Sequence, residues 1–118
     1  MLIVFIIGLS LLLVHEMDAI RNREWRMFIG LRNMGDRAAY RLFTVAHIPL
    51  YGAVLFLLFS KYYVVGYILV DVFLIAHALI HMLFRKHEQN QFDAFSNLII
   101  YAAGVCGSVH LVFWLLLA

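Results

Sequence analysis

The sequence predicts an all-α fold, a four-helix bundle integral to a membrane, with short loops and an interfacial helical stretch after the first span. Two observations carry that expectation. Of the 118 residues, 65% are hydrophobic and only 14% are charged, with a mean hydropathy of +0.93. A water-soluble domain is about half apolar and about a quarter charged. Four runs are also long enough to cross a bilayer, whose hydrocarbon core of about 30 Å takes roughly 20 apolar residues at about 1.5 Å each. The alternating ten-residue pattern of a barrel is missing, so backbone groups in lipid must be satisfied within helices. A chain of this length forms one transmembrane domain over residues 1–118.

The first span runs from about Leu2 to Ile20 and the second from about Leu42 to Phe59. The third runs from about Tyr63 to Phe84 and the fourth from about Phe95 to Leu117. Met1–Val14 lacks the basic start and small-residue cleavage site of a signal peptide, so the first span is expected to be retained. The connection after it contains Glu24-Trp25-Arg26-Met27-Phe28-Ile29-Gly30-Leu31-Arg32, whose apolar positions 25, 28, 29 and 31 have helical spacing. Trp25 flanked by arginines fits a helix in the membrane interface, ended by Gly35-Asp36. Pro49 is expected to kink the second span.

Eight of the nine Lys and Arg residues fall in the first and third connections, and Lys61 alone in the second. The positive-inside tendency assigns those two connections to the cytoplasm and both termini to the outer side of an inner, cytoplasmic membrane. The charge balance of +2 is a topological signal, and no basic patch suits nucleic acid. Membrane lipids are the expected surroundings, and a chain this short is a candidate homo-oligomer. A single cysteine, Cys106, excludes an internal disulfide framework.

Ionisable groups within a bilayer are costly, so each is a functional hypothesis. Here most of them share one depth. His15, Glu16 and Asp18 close the first span, and His47 lies near the cytoplasmic start of the second. His77 and His81 close the third, and Asp93 opens the fourth. His77 and His81 are i and i+4, on one helix face, and His15 and Asp18 are i and i+3. Helix bundles build metal sites from such inward side chains. The expected ligands are His15, Asp18, His47, His77, His81 and Asp93, with Glu16 and Asp18 as acid/base candidates. Imidazole with carboxylate suits zinc or iron among the transition metals. Glu16 lies on another face and could instead pair with Arg23 or a neighbouring arginine. Nearer the outer side, Asp71 and His110 match in depth and are expected to pair as helix-to-helix glue. Gly104, Gly107 and Ser108 form a small-residue packing face, with Cys106 a buried, inert thiol.

At His15-Glu16-Met17-Asp18-Ala19 and Glu24-Trp25-Arg26, the chain resembles small bacterial four-helix membrane proteins of unknown function, including families named for a His-x-x-Glu-Glu motif. That likeness implies the four-helix fold and a role for His15 and Asp18. Ala19 stands where the second acid of that motif would be, so a two-carboxylate role is not implied, and the likeness brings no reaction with it.

The leading functional expectation is a metalloenzyme, an oxidoreductase or a hydrolase, acting on a lipophilic small molecule. The alternatives are a non-covalent haem b electron carrier, a proton or ion carrier, a metal-free acid/base lipid isomerase, and a structural subunit of a larger complex. Phosphate-binding loops, nucleophile elbows, the zincin motif and the covalent haem motif are all missing from the sequence.

Overall fold

The computed structural model describes residues 1–117. It contains helices α1 (Leu2–Arg21), α2 (Asp36–Leu58), α3 (Tyr63–Leu83) and α4 (Ala94–Leu117), with a 3-10 turn at Glu24–Met27 between α1 and α2. There is no strand among the described residues. All four α-helices are long and apolar enough to span a membrane. The 46 Å long axis matches a bilayer of about 40–45 Å with its head groups.

The helices follow from the hydropathy of each run, and three of them lie within a residue or two of the expected spans. The fourth, α2, begins at Asp36, six positions earlier than Leu42, with Gly35 as its N-cap. Gly35-Asp36 therefore starts a helix rather than ending one. The polar first turn hides this start from a hydropathy reading, while the acidic Asp36 suits a helix N-terminus. Pro49 lies inside α2, which remains one helix. The expected interfacial helix is replaced by the single 3-10 turn and irregular turns up to Asn33. Trp25 is 4% exposed and belongs to a core with Ala19, Ala39, Phe43, Phe92 and Ile100.

Helix α4 is the spine and packs along both α1 and α3. Its small residues permit this. A Cβ on Gly107 would meet the Asp71 carbonyl oxygen at 3.0 Å, and one on Gly104 would meet Ala78 Cβ at 2.6 Å. Cys106 points instead to α1, where a Cβ on Gly8 would meet its Cβ at 3.0 Å. The expected Asp71–His110 pair is formed, buried, between α3 and α4. Trp114 Nε1 donates to His110 Nε2 at 3.1 Å, so the ring proton sits on Nδ1 and is donated to Asp71 Oδ2 at 2.7 Å. Helix α2, by contrast, packs on α3 and on the 3-10 turn, and most of its surface is exposed. The bundle is thus a tight α1–α3–α4 unit with α2 standing off its side.

The close neighbour of Gly104 is the Cβ of Ala78, which is fixed directly to its helix backbone and has no rotamer by which to yield. Gly104→Ala is expected to destabilise the bundle by about 1–3 kcal/mol through overpacking. An unfolding titration in mixed micelles checks this, and unchanged stability would contradict the packing described.

Candidate metal centre

The polar cluster begins with α1, which ends at Arg21 after burying His15, Asp18 and Ala19. Arg23 then adopts the left-handed conformation at φ 51°, ψ 51°, a backbone state that costs a non-glycine residue roughly 1–2 kcal/mol. That reversal sends Glu24 and Trp25 back beneath the bundle instead of along the membrane surface. Asp36 secures the turn. Its Oδ1 accepts from Trp25 Nε1 and from Arg26 Nε, both at 3.0 Å, and its Oδ2 lies 3.3 Å from Arg23 Nη1.

Glu24, 5% exposed, enters a nest of imidazoles from α1 and α3. Its Oε2 lies 3.3 Å from His15 Nε2, and its Oε1 lies 3.3 Å from His81 Nε2 and 3.9 Å from His77 Nε2. His15 Nε2 and His77 Nε2 are 2.7 Å apart. One ligand atom from each of His15, Glu24, His77 and His81 falls within a 4.8 Å cluster. A tetrahedral ion with bonds of about 2.0–2.1 Å places its ligand atoms about 3.3 Å from one another. The observed separations bracket that value.

Aromatic packing holds the rings in place. Phe92 stands edge-on to His81, with centroids 4.8 Å apart, and also touches His15. Phe73, one turn before His77, stacks on it at 5.2 Å and 25°. The i, i+4 spacing of His77 and His81 does what it predicts, with ring centroids 4.6 Å apart. The Nδ1 atoms of His15 and His81 are buried without a partner among the described residues, so these two rings are held by packing and by their Nε2 contacts alone. Burial alone would raise the Glu24 carboxyl, but hydrogen bonds from His15 and His81, and the nearby imidazoles, hold it below the usual carboxylate range. Glu24 is thus an anion in contact with three imidazoles.

Of the expected ligands, the structure brings together His15, His77 and His81 and leaves three elsewhere. Asp18 is buried on α1 with Oδ2 unpartnered among the described residues, outside the four-residue cluster. Asp93 precedes α4 and accepts from the backbone N–H of Ser96 at 2.9 Å and from its hydroxyl at 3.1 Å. Those bonds, the backbone one foremost, lower its carboxyl, as suits a helix N-cap. His47, on the detached α2, donates from Nδ1 to the Phe43 carbonyl at 2.7 Å and meets Glu16 Oε2 through Nε2 at 2.9 Å. Glu16 therefore pairs with His47 rather than with Arg23, which is engaged by Asp36. Shared depth is common to all these residues, but facing is not. The residue that depth and spacing passed over is Glu24, an acid set among arginines next to the one tryptophan of the connection.

A bundle of membrane-length helices with an internal three-histidine, one-glutamate cluster is the class of protein that fold and cluster define. The profile of DUF6713, a family of unknown function, matches residues 1–117, and the chain belongs to that family. No curated protein and no solved structure matches the chain.

Because Asp36 holds the turn that carries Glu24 without touching the cluster, Asp36→Ala is expected to weaken any metal binding by the cluster about tenfold or more while α-helix content is kept. Substitutions behind metal ligands typically have effects of that size. Competition with a chromophoric chelator measures it, and an unchanged affinity would show that the turn does not position Glu24.

Proposed function

We propose that this protein is a membrane-embedded metal-binding protein, and that His15, Glu24, His77 and His81 are the ligands. The observation that carries the reading is the convergence of three imidazole Nε2 atoms and one carboxylate in a buried space 4.8 Å across. Neutral imidazoles alone offer one another few satisfactory hydrogen bonds, since each Nε2 is either a donor or an acceptor. A cation accepts all three lone pairs together with the carboxylate charge. Three nitrogens and one oxygen suit zinc or iron better than calcium or magnesium. The haem b alternative is less well supported, because His15 and His77 approach more closely than ligands on opposite faces of one porphyrin iron can.

The reading extends to enzymatic chemistry on a lipophilic substrate, either hydrolytic or oxidative. A bound ion would supply Lewis acidity or a water made acidic enough to ionise near neutral pH. The chain's own part is to hold the ligands rigidly and to keep bulk water out by burial. The resemblance to the His-x-x-Glu-Glu proteins belongs to this reading, with His15 inside the cluster and Asp18 outside it. The placement of the basic connections supports a site on the cytoplasmic side of an inner membrane with both termini outside, which end-tagged topology reporters can test.

The experiment is elemental analysis and an absorption spectrum of detergent-purified protein, beside His77→Ala with His81→Ala. About one equivalent of a transition metal per chain is expected in the wild type, by the four-ligand count, without a Soret band. Most of it should be lost in the double variant. A wild type that neither carries nor takes up metal would overturn the proposal, leaving the cluster as helix-to-helix bonding or acid/base machinery.

A further inference from the structure

The stand-off of α2 creates a feature that the metal centre does not use. Between α1, α2 and α3 lies a cavity of about 450 Å³, within the usual size range of small-molecule sites. Leu9, Leu12, Leu50, Val54 and Leu69 give its walls their character, and Glu16 and Tyr51 are the only polar side chains on them. Both sit at one end, the end nearer the basic connections. The lining spans seven residues of rise on each of the three helices, about 10 Å of length. The cavity is therefore an apolar slot with one polar end.

A second, smaller cavity of about 190 Å³ continues from that end, sharing Glu16 and Tyr51 and adding Phe43, Thr44 and His47. Its polar groups are incompletely satisfied. Thr44 Oγ1 is buried with no hydrogen-bond partner among the described residues, and Tyr51 contributes a second hydroxyl. Glu16 and His47 bridge α1 and α2 at the junction of the two cavities. Phe73 lines the large cavity and stacks on His77, so the wall of the slot is also the wall of the metal cluster.

We propose that this slot binds the head-proximal part of the chain of a neutral, single-chain amphiphile such as a long-chain alcohol, with its hydroxyl among Thr44, Glu16, His47 and Tyr51. The chemistry of the lining selects this class. An apolar slot open to a bilayer takes a hydrocarbon chain, and the junction offers hydrogen-bond donors and acceptors for a small head group. The Glu16 carboxyl disfavours an anionic head, and the 190 Å³ end cavity disfavours a bulky one. As a statement about substrate, this rests on the proposed metal centre, against whose wall the polar end lies.

The test is photolabelling in phosphatidylcholine nanodiscs with hexadecanol carrying a chain diazirine, read by peptide mass spectrometry. Label is expected on the α1, α2 and α3 segments facing the slot. Ala53→Trp fills the slot from α2, and Leu13→Trp fills it from α1. Each is expected to reduce labelling about tenfold, equivalent to about 1.4 kcal/mol, while metal content stays at the wild-type level. The metal-depleted double variant His77→Ala with His81→Ala is expected to keep its label, so failure of the metal reading and failure of this one are told apart. Three results would overturn the proposal. The first is label spread over the outer faces of α4. The second is stronger labelling by the matching photoreactive fatty acid than by the alcohol. The third is an unlabelled wild type that light scattering shows to be a dimer, with a second copy in the slot.

Discussion

Two buried imidazoles, His15 and His81, and the half-buried His77 converge from two helices, and the fold brings the Glu24 carboxylate to them. The rest of the architecture at that end of the bundle serves that contact. Arg23 takes a left-handed backbone conformation to reverse the chain, Trp25 fills the space beneath α1 and α2, and Asp36, the first residue of α2, ties the turn to that helix. A straight continuation of α1 into the interface would carry Glu24 away and leave His15, His77 and His81 facing one another. In a low-dielectric interior that arrangement is costly, because unpaired polar groups there lose both water and protein partners.

The bundle divides its labour unevenly. Helices α1, α3 and α4 pack through glycines and close the polar interior, including the Asp71–His110–Trp114 chain, whose geometry fixes the His110 tautomer. Helix α2 is attached mainly at its ends, with Pro49 at mid-length and one polar bridge, His47 to Glu16, across the gap. A helix held in this way leaves room for a ligand between itself and its neighbours. The ordered His/Glu cluster and the open slot lie side by side because rigid and loose packing meet at Phe73, which borders both.

Much of this was legible in the sequence. Hydropathy located the four helices because an apolar run of about 20 residues has few other uses. The polar start of α2 escaped the same reading, since Arg37 and Arg41 lower the hydropathy of a stretch that is helical all the same. His77 and His81 could be recognised as a pair from their spacing, and Asp71 with His110 from their depth. Depth alone could not separate His15 from Asp18, His47 or Asp93, because helix rotation decides which of them face inward. Glu24 was the hardest to see. It lies off the helices, in a connection whose apolar spacing imitates a helix, and its burial depends on one left-handed residue that no periodicity reveals. Its place beside Trp25, among arginines, was the available sign.

The most direct test of the proposed centre is X-ray absorption at the edge of any transition metal that the purified protein carries. The account predicts a first shell of nitrogen and oxygen at about 2.0–2.1 Å, with the multiple-scattering pattern of about three imidazoles. A first shell without imidazole scattering, or one containing the sulfur of Cys106, would contradict it.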